Sequence, residues 1–109
     1  MKSKIKFELK ETPIIVNGFY YYFYKIINLI NNNFYYGVHK TKNLEDGYAG
    51  SGYLLTKAIK RDGIDNYKKE ILKFFQNVEE MMNYEKFIVN DTLVKDKNCY
   101  NAKLGGFGG

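Results

Sequence analysis

The stretch "YKIINLINNNFYYGVHK", Tyr24–Lys40, decides how this chain is read. From Phe19 to Ile30 the sequence is aromatic and β-branched, which suits a central strand. Asn31, Asn32 and Asn33 supply the turn, because asparagine tolerates the left-handed backbone of a tight hairpin. Phe34 to Val38 returns as the partner strand. With the turn on Asn31-Asn32, Asn28 faces Tyr35, Ile26 faces Gly37 and Tyr24 faces His39. Side chains alternate faces along a strand, so Tyr24, Tyr35 and His39 share a face, with Gly37 as a gap. A turn on Asn32-Asn33 keeps this parity; an odd loop breaks it. The two tyrosines then sit about 13 Å apart along the strands. Two phenols of that reach can converge on a phosphate over Gly37. The alternative is ordinary cross-strand packing, worth roughly 0.2–1 kcal/mol per pair.

Outward from the hairpin, "KIKFEL" alternates Ile5, Phe7 and Leu9 with charged residues, as a half-buried strand does. Pro13 ends it, and "IIVNGFY" reads as a short strand, an Asn17-Gly18 turn and the next strand. Residues 1–18 are therefore an N-terminal β extension, adding a strand, an oligomer contact or a ligand contact to a main domain over residues 19–109. "HKTKNLEDGYAG", 39–50, is a polar loop. Ser51 is placed to cap a helix from Gly52 to Arg61. Leu54, Leu55, Ala58 and Ile59 form its apolar stripe, with Tyr53, Lys57, Lys60 and Arg61 opposite. "YKKEILKFF", Tyr67 to Phe75, is a further strand. A second helix begins at Asn77, with Glu80 completing a capping box, and runs to about Asn90. The glycine-rich tail "NCYNAKLGGFGG" is open to fraying.

The whole chain bounds the partners. Its 109 residues suffice for one domain, and 45% hydrophobic content predicts that it folds. A net charge of +5 favours an anionic partner, nucleic acid first and a membrane surface second. Sixteen of the 17 basic residues are lysines, and Arg61 is the sole arginine. Arginine forks are the commonest readers of base edges, so phosphate contacts are expected over base readout. Cys99 stands alone, which leaves no disulfide or thiolate zinc site and fits a reducing, cytoplasmic setting. The sequence has no transmembrane run and no signal peptide pattern.

One residue breaks the pattern of the second helix. Val78, Met81, Met82, Ile88 and Val89 draw an apolar stripe that passes through Glu85. Either this carboxylate snorkels to water at the stripe's edge, or it is held by a partner or a metal ion.

Tyrosines eleven apart across an asparagine-rich hairpin, a glycine two residues on, a helical glutamate and a late Tyr100-Asn101 resemble the GIY-YIG nuclease family. The triplets here read Tyr22-Phe23-Tyr24 and Tyr35-Tyr36-Gly37, and "DGYAGSG" resembles the small phage homing endonucleases of that family. The resemblance covers residues 20 to 109. It implies an α/β domain, a small antiparallel three-stranded sheet flanked by helices, that cleaves DNA phosphodiesters with one Mg2+ or Mn2+. By position, Tyr24 activates water or passes on its proton, Tyr35 positions water or phosphate, Glu85 holds the metal and Asn101 supports the site. His39 or Lys40 would supply the neighbouring base or cation that a phenol needs near neutrality. The family's phosphate-gripping helical arginine is absent at its usual place, so Lys57 replaces it or Arg61 reaches from the last turn. Gly37, Ser51 within "GSG", and Lys60 complete the expected phosphate contacts. Two other functions remain open: a catalytically silent nucleic-acid-binding module of this fold, and a small protein-interaction domain.

Overall fold

The aromatic run forms the central strand, β2 (Tyr20–Asn28), in a computed structural model that describes residues 4–105. Residues 1–3 and the end of the glycine-rich tail, 106–109, lie outside the described residues. β2 pairs antiparallel with β3 (Phe34–Thr41) on one side and β4 (Tyr67–Phe75) on the other. Flanked on both edges, its Tyr22, Phe23, Tyr24, Ile26 and Asn28 are all buried. β3 continues through Thr41, so His39 and Lys40 are strand residues and the polar loop is 42–52.

The sheet has four strands in the order β1-β4-β2-β3, not three, and it is mixed. The short β1 (Lys6–Leu9) runs parallel to β4 and completes that strand's otherwise unpaired edge. A tight turn at Asn17-Gly18, with Val16 bridged to Phe19, then delivers the chain into β2.

The hairpin register differs from expectation by two residues. Tyr24 faces Gly37, Ile26 faces Tyr35, and His39 faces Tyr22. Asn28 displaces the turn: its N–H donates to the Asn33 carbonyl at 2.8 Å and its Oδ1 accepts the Ile30 N–H at 2.9 Å. Asn32 takes the left-handed conformation, φ 64°, inside this longer loop. An even shift preserves parity, so Tyr24, Tyr35, Gly37 and His39 do share a face.

Helices cover both faces. α1 (Tyr53–Asp62) buries Leu55 and Ala58 against the face carrying Tyr22, Tyr24, Tyr35, Tyr67 and Ile71. α2 (Val78–Ile88) packs Met81 against Phe23, Val38 and Phe75 on the other face. As the capping pattern predicts, the Asn77 side chain accepts the Glu80 N–H at 2.9 Å. α2 stops at Ile88, and the short α3 (Asp91–Val94) follows, capped by Asn90. Ser51 does not cap α1: Gly52 holds that position without a side-chain bond.

Candidate functional site

Tyr24 and Tyr35 lie on adjacent strands, offset by two residues, with ring centroids 6.2 Å apart. They meet over Gly37, but not around an open gap. A Cβ at position 37 would overlap the Tyr24 hydroxyl, so the glycine admits the phenol itself. Tyr24 is fully buried, and its Oη is the one buried side-chain N or O atom without a hydrogen-bond partner among the described residues. Burial, reinforced by the neighbouring Tyr48 and Tyr35, raises its pKa well above 10. Tyr35 is also raised, first by burial, while hydrogen bonding to Ser51 pulls the other way.

The loop 42–52 closes over these rings. Gly50, with φ +86°, brings its backbone beside the Tyr24 hydroxyl and the Tyr35 ring, where a side chain would collide with Leu55. The "GSG" triplet thus packs against the phenols, and Ser51 serves Tyr35 rather than the helix start. Tyr48 meets the Tyr24 ring edge-on at 5.8 Å and stacks flat on His39, centroids 3.6 Å apart and planes 2° from parallel. His39 Nε2 lies 2.8 Å from Asp46 Oδ2, which also accepts the Thr41 hydroxyl at 2.8 Å. Burial raises the Asp46 pKa, but the hydrogen bonds from His39, the Tyr48 N–H and Thr41 outweigh it and hold the carboxyl low. An ionised Asp46 only accepts, which assigns the proton of a neutral His39 to Nε2 and leaves Nδ1 as acceptor. The imidazole therefore belongs to Tyr48 and Asp46, and it faces Tyr22 rather than Tyr24.

Sequence reasoning missed Tyr22, Asp46, Tyr48 and Lys69. Lys69 is a fully buried lysine on β4, donating to the Tyr22 Oη at 3.0 Å and the Tyr48 carbonyl at 2.8 Å. Burial lowers its pKa to about 8, with Asp46 pulling the other way. Strand alternation carried the signal for Lys69, since Tyr67, Lys69 and Ile71 share the inward parity of β4. No local pattern marks the loop residues Asp46 and Tyr48.

Glu85 sits in the buried stripe of α2, beside buried Met81 and Val89, so it does not snorkel to water. Its charge helps raise the Tyr35 pKa, which puts it within electrostatic range of that phenol. Asn101 ties the tail to β3. Its Nδ2 donates to the Tyr36 carbonyl at 2.7 Å and its Oδ1 accepts the Tyr36 N–H at 2.8 Å. Both bonds grip the residue between Tyr35 and Gly37. The described residues contain no group of three or more His, Cys, Asp or Glu side chains arranged to hold a metal. A cation here would have the Glu85 carboxylate as its protein anchor.

The four basic residues expected at the phosphate are all exposed. Lys40 has the opposite strand parity and stands 4.3 Å over the Phe19 ring, away from Tyr24. Lys57 and Lys60 are exposed on α1, Lys57 over the Tyr53 ring at 5.7 Å. Arg61 is exposed but committed: its Nε and Nη2 each donate to the Asp62 carboxylate at 2.9 Å. The arrangement thus joins two protonated phenols, an imidazole–carboxylate pair and a buried carboxylate. These groups can hold a water molecule or anionic oxygen and exchange protons with it.

No family model and no solved structure matches the chain. Ninety residues, 83% of the chain, are 51% identical to the Enterobacteria phage T4 protein named "Putative endonuclease segC" and cover 46% of it. Over the same share the chain is 52% identical to "Putative endonuclease segB" and 44% identical to "Endonuclease segA" of that phage, covering 41% of each. The chain spans less than half the length of these curated relatives. No helix among the described residues is long and apolar enough to cross a membrane.

Proposed function

We propose that this chain is a divalent-metal-dependent DNA endonuclease domain of the GIY-YIG type, hydrolysing phosphodiester bonds. The observation that carries the reading is the Tyr24 hydroxyl, buried and unpaired over Gly37 beside Tyr35. Leaving a buried hydroxyl unsatisfied costs about 1–3 kcal/mol, and a bound water or phosphate oxygen would remove that cost. The relatives named as endonucleases point to DNA as the substrate.

The donor set fits one Mg2+ or Mn2+, which commonly takes one or two protein carboxylates and completes its shell with water and phosphate. Glu85 would hold it, and when bound it stabilises charge on the phosphate and the leaving oxygen. Burial keeps Tyr24 and Tyr35 protonated, so each can donate to a phosphate oxygen or orient the attacking water. Activation of that water needs a proton acceptor. Tyr24 becomes one only if nearby positive charge lowers its pKa; His39 Nδ1 is the alternative acceptor. Asn101 fixes the Tyr36 peptide and with it the spacing of Tyr35 and Gly37. Exposed lysines, including Lys40, Lys57 and Lys60, steer the DNA backbone.

The test is nicking of supercoiled plasmid at low salt with magnesium, manganese or EDTA, run beside Glu85→Ala and Tyr24→Phe. Metal-dependent nicking that disappears in both variants is the expected result. The Arg61–Asp62 pair favours a second reading, a silent DNA-binding module, because the sole arginine is occupied. Salt-sensitive DNA binding without cleavage would select it.

A further inference from the structure

We propose that Lys69 is a positioning residue for the candidate site: it clamps the loop 42–52 to the sheet and so holds Tyr48 against His39 and Tyr24. The loop is anchored to β3 through Asp46, which bonds Thr41 and His39. Lys69 supplies a second anchor from β4, through the Tyr48 carbonyl at 2.8 Å, while a further N–H holds the Tyr22 hydroxyl at 3.0 Å. The two anchors pull on the loop from different strands of the sheet, and Tyr48 lies between them. Around the ammonium lie the rings of Phe7 and Tyr22, 5.5 and 5.3 Å from Nζ. β1 thereby closes the outer side of the clamp.

A buried ammonium is a poor way to fill space. Its desolvation opposes folding, and a hydrocarbon side chain would pack there without that cost. What the hydrocarbon cannot do is hold a loop carbonyl at a fixed place. Lys69 is thus expected to contribute to the geometry of the rings more than to stability.

The chain's single histidine makes the test direct, because its imidazole protons give one pair of carbon-bound NMR signals. Stacked on Tyr48, they are shifted upfield by the phenol ring current. In Lys69→Met we expect cooperative folding to persist, with both signals moving downfield towards an unstacked histidine. Signals that stay in place in a folded Lys69→Met protein overturn the proposal. If that variant does not fold, the unmodified protein decides. A clamped Lys69 gives a slowly exchanging 15N ammonium signal with cross-relaxation to the Tyr22 ring, and its absence at neutral pH and low temperature overturns the clamp.

The catalytic consequence rests on the nuclease reading: Lys69→Met should nick plasmid roughly tenfold to a hundredfold more slowly than the unmodified protein. If the unmodified protein does not nick, the nuclease reading fails while the imidazole signals still test the clamp. If it nicks and the variant nicks equally fast, the positioning role fails.

Discussion

Two tyrosine clusters lie on the same face of β2, one at its hairpin end and one at its middle, and they treat their polar atoms in opposite ways. At the hairpin end, Asn28 Nδ2 lies 3.2 Å from Asp62, 2.9 Å from the Tyr67 hydroxyl and 3.0 Å from the Tyr100 hydroxyl. Tyr67 in turn donates to Asp62 at 2.7 Å, and Arg61 closes the network from outside. At the other cluster, Tyr24 is equally buried and its hydroxyl has no partner. A fully bonded network fixes a structure, whereas an unbonded buried hydroxyl leaves binding capacity unspent. The comparison separates a structural cluster from a candidate site without reference to any relative.

Substitutions can break this contrast. The largest effect is expected on activity: Tyr24→Phe should slow plasmid nicking a hundredfold or more. Its unfolding free energy should stay within about 1 kcal/mol of the unmodified protein or rise, since the hydroxyl removed had no partner. Asn28→Ala reverses the pattern. It strips the hub from buried phenols and should cost about 3 kcal/mol in urea unfolding. Equal destabilisation by both substitutions would erase the distinction between the clusters.

A pH series tests the buried ionisable groups directly. The Lys69 pKa falls from 10.5 in the unfolded chain to about 8 in the fold. Between those values the unfolded state binds more protons, so this group makes stability rise with pH, by roughly 3 kcal/mol in all. The buried phenols act oppositely above pH 10, because their raised pKa values leave the unfolded chain to ionise first. Comparison with Lys69→Met isolates the lysine, and equal slopes from pH 8 to 9.5 would contradict the assignment. The smallest effect is expected at Gly37→Ala. The added methyl must displace the Tyr24 ring, costing about 1–3 kcal/mol by thermal or urea unfolding.

Much of the fold was legible in the chain because it is local. The Asn77 cap and the bounds of Tyr67–Phe75 follow from neighbouring residues, and strand parity survives an even error in register. The register itself failed because Asn28, which reads as a strand residue, spends its backbone and side chain on the turn. β1's place was hidden for a different reason: nothing local tells a strand to join an edge formed sixty residues later. At the site, residue pattern located the two phenols and the buried glutamate. It could not foresee that Asp62 captures Arg61, or that a lysine would leave the solvent to hold a loop.

β1 also imposes an order in time. Its Lys6 pairs with Lys68, so the first strand made cannot find its place until β4 exists. Such distant pairings slow folding, because a long loop must close before any contact rewards it. Until then Lys69 lacks the cover of Phe7, and β4 presents a bare edge to other chains. The four-residue strand therefore acts as the closing step of assembly, sealing a sheet whose candidate site lies on other strands.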